Sequence, residues 1–294
     1  MTTATERLLR RLEWQVVRRL DGLLQGSYRT VYRGSGIDFA ELREYTPEDD
    51  VRHIDWNVTA RMDEPYVRKY TEDRDLTAWL VLDQSASMRF GAEHGKDSVL
   101  AELAICLARV IAQGGNRVGA ILYDNKAQRV IPPRAGRNHL LYLSQELTRP
   151  IPLRGDGSTT RLSAMLELAA ATARRRSLIF VISDFIGEAD WERALGRLTQ
   201  RHEVVAMRVV DPMELALPNL GLVLVEDAET GEQLLADTSD PLFQQRFRDL
   251  VDEREDAIAA SMKRAGVTSH VVGTDQDLGE ALVEMVRRSK RRLR

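Results

Sequence analysis

The 294-residue chain holds a single cysteine, Cys106, so no internal disulfide can staple it. Cys106 falls inside an apolar helical run, where a buried, unreactive thiol is expected, and the composition suits a reducing compartment. No run approaches 18 consecutive apolar residues, and Glu6 and Arg7 interrupt the stretch where a secretory leader would be apolar. The expectation is a cytoplasmic protein with no transmembrane segment. Net charge is also scarce, 42 basic against 45 acidic residues, which argues against general nucleic-acid binding. The five histidines show no zinc spacing. What remains is an ordinary globular balance, 43% hydrophobic and 30% charged.

The near-neutrality is a cancellation between regions. Residues 1–33 hold seven arginines against three acids, and residues 287–294 carry six positive charges, leaving −13 for the span between. Either basic end could touch an anionic membrane surface or an acidic partner. A solvated helix end accounts for the second equally well.

Domain organisation divides at about residue 75. Within residues 1–75, Leu8, Leu12, Val16, Leu20 and Leu23 recur at helical spacing and predict an amphipathic helix ending near Gly26. From Arg33 to Asp75 the periodicity is weak, and an irregular segment is predicted. Gly34 and Gly36 lack the strand and helix of a phosphate loop and read as a turn. Arg43, Asp49, Asp50, Arg52, Asp55 and Arg61 could form an arginine and carboxylate network or a polar docking face.

Residues 76–294 alternate strand-length apolar runs with helix-length amphipathic stretches, which predicts an α/β, doubly wound, mostly parallel Rossmann-like sheet. Two apolar runs around a turn-rich centre predict a β-hairpin at about residues 222–238. A long helix over Pro241 to Arg264 and a basic C-terminal helix from Leu278 close the chain.

Three oxygen-bearing motifs fall at strand ends. Asp83, Ser85 and Ser87 follow an apolar strand and precede a helix, at the sheet edge where ligands bind in such folds. A carboxylate and two hydroxyls in one turn can converge on a hard cation, which prefers oxygen ligands. Thr159 and Thr160 precede the helix starting at Leu162, and Asp184 ends the strand SLIFVIS. Each motif alone also reads as a cap or turn.

Together, in this order, the motifs resemble the metal-ion-dependent adhesion site of von Willebrand factor A domains. The resemblance implies that Asp83, Ser85, Ser87, Thr160 and Asp184 hold a divalent metal, Mg²⁺ with Mn²⁺ as the substitute. Leu162 two residues beyond Thr160 favours Thr160 over Thr159. The sequence departs from the pattern at Phe185, where that family usually has glycine.

The signature G-x-G-x-D-F-x-x-L-R-x-Y-x-x-x-D-D-x-R-x-I-D-W-x-x-T-A-R, from Gly34 to Arg61, resembles family fifty-eight of the bacterial domains of unknown function. The segment Asp211 to Asp237 is similar to that family too. This resemblance implies a von Willebrand factor A-like, non-enzymatic adaptor that partners a MoxR-type AAA+ ATPase and binds an acidic protein ligand. A metal-free scaffold of the same fold is the main alternative. A magnesium-dependent phosphotransferase with Asp83 as nucleophile is weaker, because the second aspartate such enzymes use as general acid is Ser85 here.

Overall fold

The computed structural model describes residues 36–292 except 47–48, 63, 74–75, 92–94, 114, 125, 150–159, 188–189 and 228–230. The helix predicted at residues 5–24 lies outside the described residues. Those described fall into two compact units, residues 36–76 and residues 77–292.

In the first unit, strands β1 (Gly36–Glu44) and β2 (Tyr66–Asp73) pair antiparallel around a short helix, α1 (Trp56–Met62). The segment predicted as irregular is therefore a strand pair. A register shift between Phe39 and Glu41 breaks its two-residue alternation, so the sequence shows no strand period. Of the predicted polar network, Arg43 pairs with Asp49 at 2.5 Å, and Asp49 also accepts from the Thr46 amide and hydroxyl. Arg52 pairs with Asp50 at 3.5 Å, Asp50 also accepts from the Arg52 amide at the 3-10 turn Val51–His53, and Asp55 accepts from the Asn57 amide at the start of α1.

The second unit is built on a six-stranded sheet. Its strands are β3 (Thr77–Asp83), β4 (Arg117–Tyr123), β5 (Ala127–Arg134), β6 (Leu178–Ser183), β7 (Glu203–Val210) and β10 (Thr268–Gly273). The order is β10-β7-β6-β3-β4-β5, parallel throughout except for β5 against β4. The fold is thus mixed α/β with a mostly parallel sheet, as the alternating pattern predicts.

Helices cover both faces. Trp79, Val81, Ile179, Val181 and Ala206 pack in one core with residues of α4 (Leu162–Thr172), α5 (Trp191–Arg201) and α7 (Pro241–Arg264). The alternate residues Leu80, Leu82, Phe180, Ile182 and Met207 are buried as well and point to the opposite face, where α2 (Lys96–Gln113) lies. Every residue of β6 is buried, which explains its unbroken apolar run LIFVI. The remaining helices are α3 (Arg137–Leu147), the short α6 (Pro212–Leu215) and α8 (Leu278–Arg292).

Strands β8 (Leu222–Glu226) and β9 (Gln233–Asp237) form a separate antiparallel hairpin between α6 and α7. Leu222, Leu224, Leu234 and Leu235 are each more than 60% exposed on it. Among the described residues, no helix is long and apolar enough to cross a membrane.

Candidate functional site

The sheet order creates one switch point. From β3 the chain moves outward to β4, and from β6 it moves the other way to β7, yet β3 and β6 are hydrogen-bonded neighbours. Loops leaving the carboxyl ends of this pair diverge to opposite sides and leave a crevice between them. Asp83 ends β3, and Asp184 immediately follows β6.

The β3 loop is tightly organised. The Gln84 amide donates to the Tyr123 carbonyl on β4, pinning the loop to the sheet. The Ser85 amide donates to Asp83 Oδ1 at 3.0 Å, and the Ser85 and Ser87 hydroxyl oxygens lie 3.0 Å apart. Asp83 and Ser85 are buried, and Ser87 is half-buried. Asp83 takes a further hydrogen bond at its second oxygen from the Ser183 hydroxyl, at 2.6 Å. Burial pushes the Asp83 carboxyl up to about 7, and the neighbouring charge of Asp184 adds to the shift; the hydrogen bonds from Ser183 and Ser85 oppose it.

Asp184 is buried beside it. Its Oδ1 accepts from the Ile186 amide at 2.9 Å and its Oδ2 from Lys96 Nζ at 2.8 Å. Between these residues Phe185 has φ +56°, the left-handed region where a glycine would carry no penalty. Phe185 is buried against Trp191, ring centroids 5.2 Å apart in an edge-on arrangement. That contact and the burial of the phenyl ring offset a left-handed cost of about 1–2 kcal/mol.

Thr160 stands just before the N-cap residue Arg161 of α4, whose Leu162, Met165 and Leu166 pack in the same core as Trp79 and Val81 of β3. Helix α4 thereby packs against β3. The Tyr123 phenol senses both sides: burial raises its pKa, the Arg161 charge lowers it, and Asp124 and Asp83 raise it. Thr159 lies outside the described residues.

Three partners of the site carry no recognisable sequence signal. Lys96, the first residue of α2, is fully buried and joins Asp184 to Glu214 of α6, the second contact at 2.6 Å. Glu214 also belongs to the capping box of α6 with Asp211. Ser183 is simply the last residue of an apolar strand. Arg208 on β7 donates from Nε to the Asp184 carbonyl at 2.9 Å and forks onto Glu255 of α7.

Among the described residues no group of three His, Cys, Asp or Glu side chains could hold a metal, so a cation here would depend on hydroxyl oxygens. The donor set fits one. The Ser85 and Ser87 hydroxyls are hydrogen-bonded to each other at 3.0 Å, a spacing that would also let both oxygens take adjacent positions of an octahedral magnesium shell, about 2.9 Å apart. Beside Asp83 and Ser85 opens a cleft of about 270 Å³, lined also by Met88, Leu100, Ile105 and Leu147.

A family profile described as "Protein of unknown function DUF58" matches residues 41–257. The uncharacterized proteins Rv1480 of Mycobacterium tuberculosis and Mb1516 of Mycobacterium bovis are each 35% identical over 289 residues, 96% of this chain and 89% of theirs. Among solved structures, the conserved hypothetical protein BatB from Bacteroides thetaiotaomicron aligns at TM-score 0.45 and 16% identity, over 74% of this chain and 99% of that one. A von Willebrand factor type A structure from Catenulispora acidiphila aligns at TM-score 0.39 and 14% identity, over 75% and 43%.

Proposed function

Given that the chain belongs to the DUF58 family of unknown function, we propose that it is a non-enzymatic protein-binding adaptor that grips an acidic group on a partner through a divalent cation. The observation that carries this reading is the paired hydroxyls of Ser85 and Ser87, at an octahedral edge spacing beside the buried Asp83. Ser85, Ser87 and Thr160 would supply direct oxygens to Mg²⁺, with Mn²⁺ as the substitute, and Asp83 and Asp184, whose oxygens all accept hydrogen bonds within the protein, would act directly or through water. The ion supplies residual positive charge, since neutral hydroxyls cancel none of it. The cleft beside Asp83 gives a neighbouring apolar side chain of the partner somewhere to enter.

The partner machine we propose is a MoxR-type AAA+ ATPase, with the adaptor working in the cytoplasm during protein assembly or remodelling. Co-expression with such an ATPase tests this. Co-purification should be lost in chelator and in Asp83→Ala. Binding that ignores both would point to a metal-free scaffold, and turnover of a phosphate ester dependent on Asp83 would point to a phosphotransferase.

A further inference from the structure

Lys96 is the least expected residue of the site. Lysine is almost never fully buried without partners, and a cation on the first turn of an 18-residue helix opposes the helix dipole. Neither propensity nor packing explains its position. Its two carboxylate partners do: Asp184 at 2.8 Å from the β6 loop and Glu214 at 2.6 Å from α6. The Phe90 ring lies 6.0 Å from the same nitrogen and adds a weaker contact.

The charges around this nitrogen are unbalanced. Asp83 ends the strand paired with β6 and takes a hydrogen bond from Ser183, the residue before Asp184, so the ammonium joins a group of three carboxylates, Asp83, Asp184 and Glu214. With all four groups charged, two negative charges remain, which is the charge of one divalent ion. Without Lys96 three would remain, and a bound divalent ion would leave the cluster negative and repel an acidic partner.

We infer that Lys96 is a built-in cation of the site, a specificity-determining residue whose ammonium takes up one carboxylate charge so that the ion-loaded site still accepts a carboxylate ligand. The inference rests on the cation-site reading above and adds to it the residue that sets the charge. Lys96 thereby weakens the ion's hold, because it shares Asp184 with it, and strengthens the hold on the acidic ligand.

Calorimetric titration of the full chain with Mg²⁺ at pH 8 tests this, comparing the natural protein with Lys96→Met and Glu214→Gln. The two variants change the cluster charge in opposite directions. Lys96→Met should bind Mg²⁺ at least about tenfold more tightly, and Glu214→Gln at least about tenfold more weakly, because removing one charge of either sign from the cluster changes its attraction for a divalent ion. A purely structural ion pair would lower the melting temperature of both variants and leave both affinities alike. Should Lys96→Met fail to fold, the weakened binding of Glu214→Gln still decides.

Binding to the natural chain with unchanged affinity in the variants overturns the role of Lys96 and leaves the cation site standing. Binding by Lys96→Met alone supports the built-in cation and overturns the cation reading for the natural chain. No binding in any of the three overturns both.

Discussion

The Ser183 hydroxyl donates to Asp83 Oδ2 at 2.6 Å across the β3 and β6 pair, one residue before Asp184 leaves the sheet. The same hydroxyl accepts from the Phe185 amide at 3.0 Å, so one oxygen ties the ends of two strands and the loop that follows β6. The two carboxylates are thus held close together by the backbone, and their mutual repulsion is built into the fold.

That repulsion has a cost for the ion-free protein. Asp83 binds its proton more tightly in the folded chain than in the unfolded one, so its contribution to stability falls as pH rises from the ordinary aspartate value of 3.8 through about 7, and is level above that. In chelator, Asp83→Asn is expected to be more stable than the natural chain at pH 8, by on the order of 2–4 kcal/mol, and little different near pH 4. Urea unfolding at the two pH values measures this. An Asn variant no more stable at pH 8 would contradict it.

Phe185 sits where two demands conflict. Replacing it with alanine keeps the left-handed strain and loses the packing against Trp191, for an expected loss of about 3–5 kcal/mol. Replacing it with glycine relieves the strain, so Phe185→Gly should lose about 1 kcal/mol less than Phe185→Ala. Equal denaturation midpoints for the two variants would show that the backbone there is unstrained.

Cys106 should be inert. Burial in α2 pushes its thiol up to about 12, helped by Glu102 and opposed by Arg109. A thiol reagent such as DTNB is expected to leave the folded protein unmodified at pH 8 and to react fully in guanidinium. Reaction of the folded chain at the rate of a free thiol would refute this placement.

Much of this was legible in the sequence where burial is one-sided and periodic. The apolar spacing of Leu100, Leu103 and Leu107 marks α2, and the unbroken run before Asp184 marks β6 as a strand buried on both faces. The β1 strand was not, because the shift at Phe39 moves its apolar residues off the two-residue period. The site was half legible. Asp83, Ser85, Ser87 and Asp184 announce themselves at strand ends, whereas Lys96 and Glu214 come from elements 118 residues apart and meet only when the sheet brings α2 and α6 together. A lysine in a helical stretch reads as solvated, so its burial is a tertiary fact.

The central claim is that the β3 loop binds a divalent ion, and calorimetric titration of the natural chain and Asp83→Ala with Mg²⁺ or Mn²⁺ tests it most directly. One ion should bind the natural chain and none the variant, with Ser85→Ala and Thr160→Ala weakened between those limits. No binding to the natural chain, or equal binding to Asp83→Ala, would contradict it.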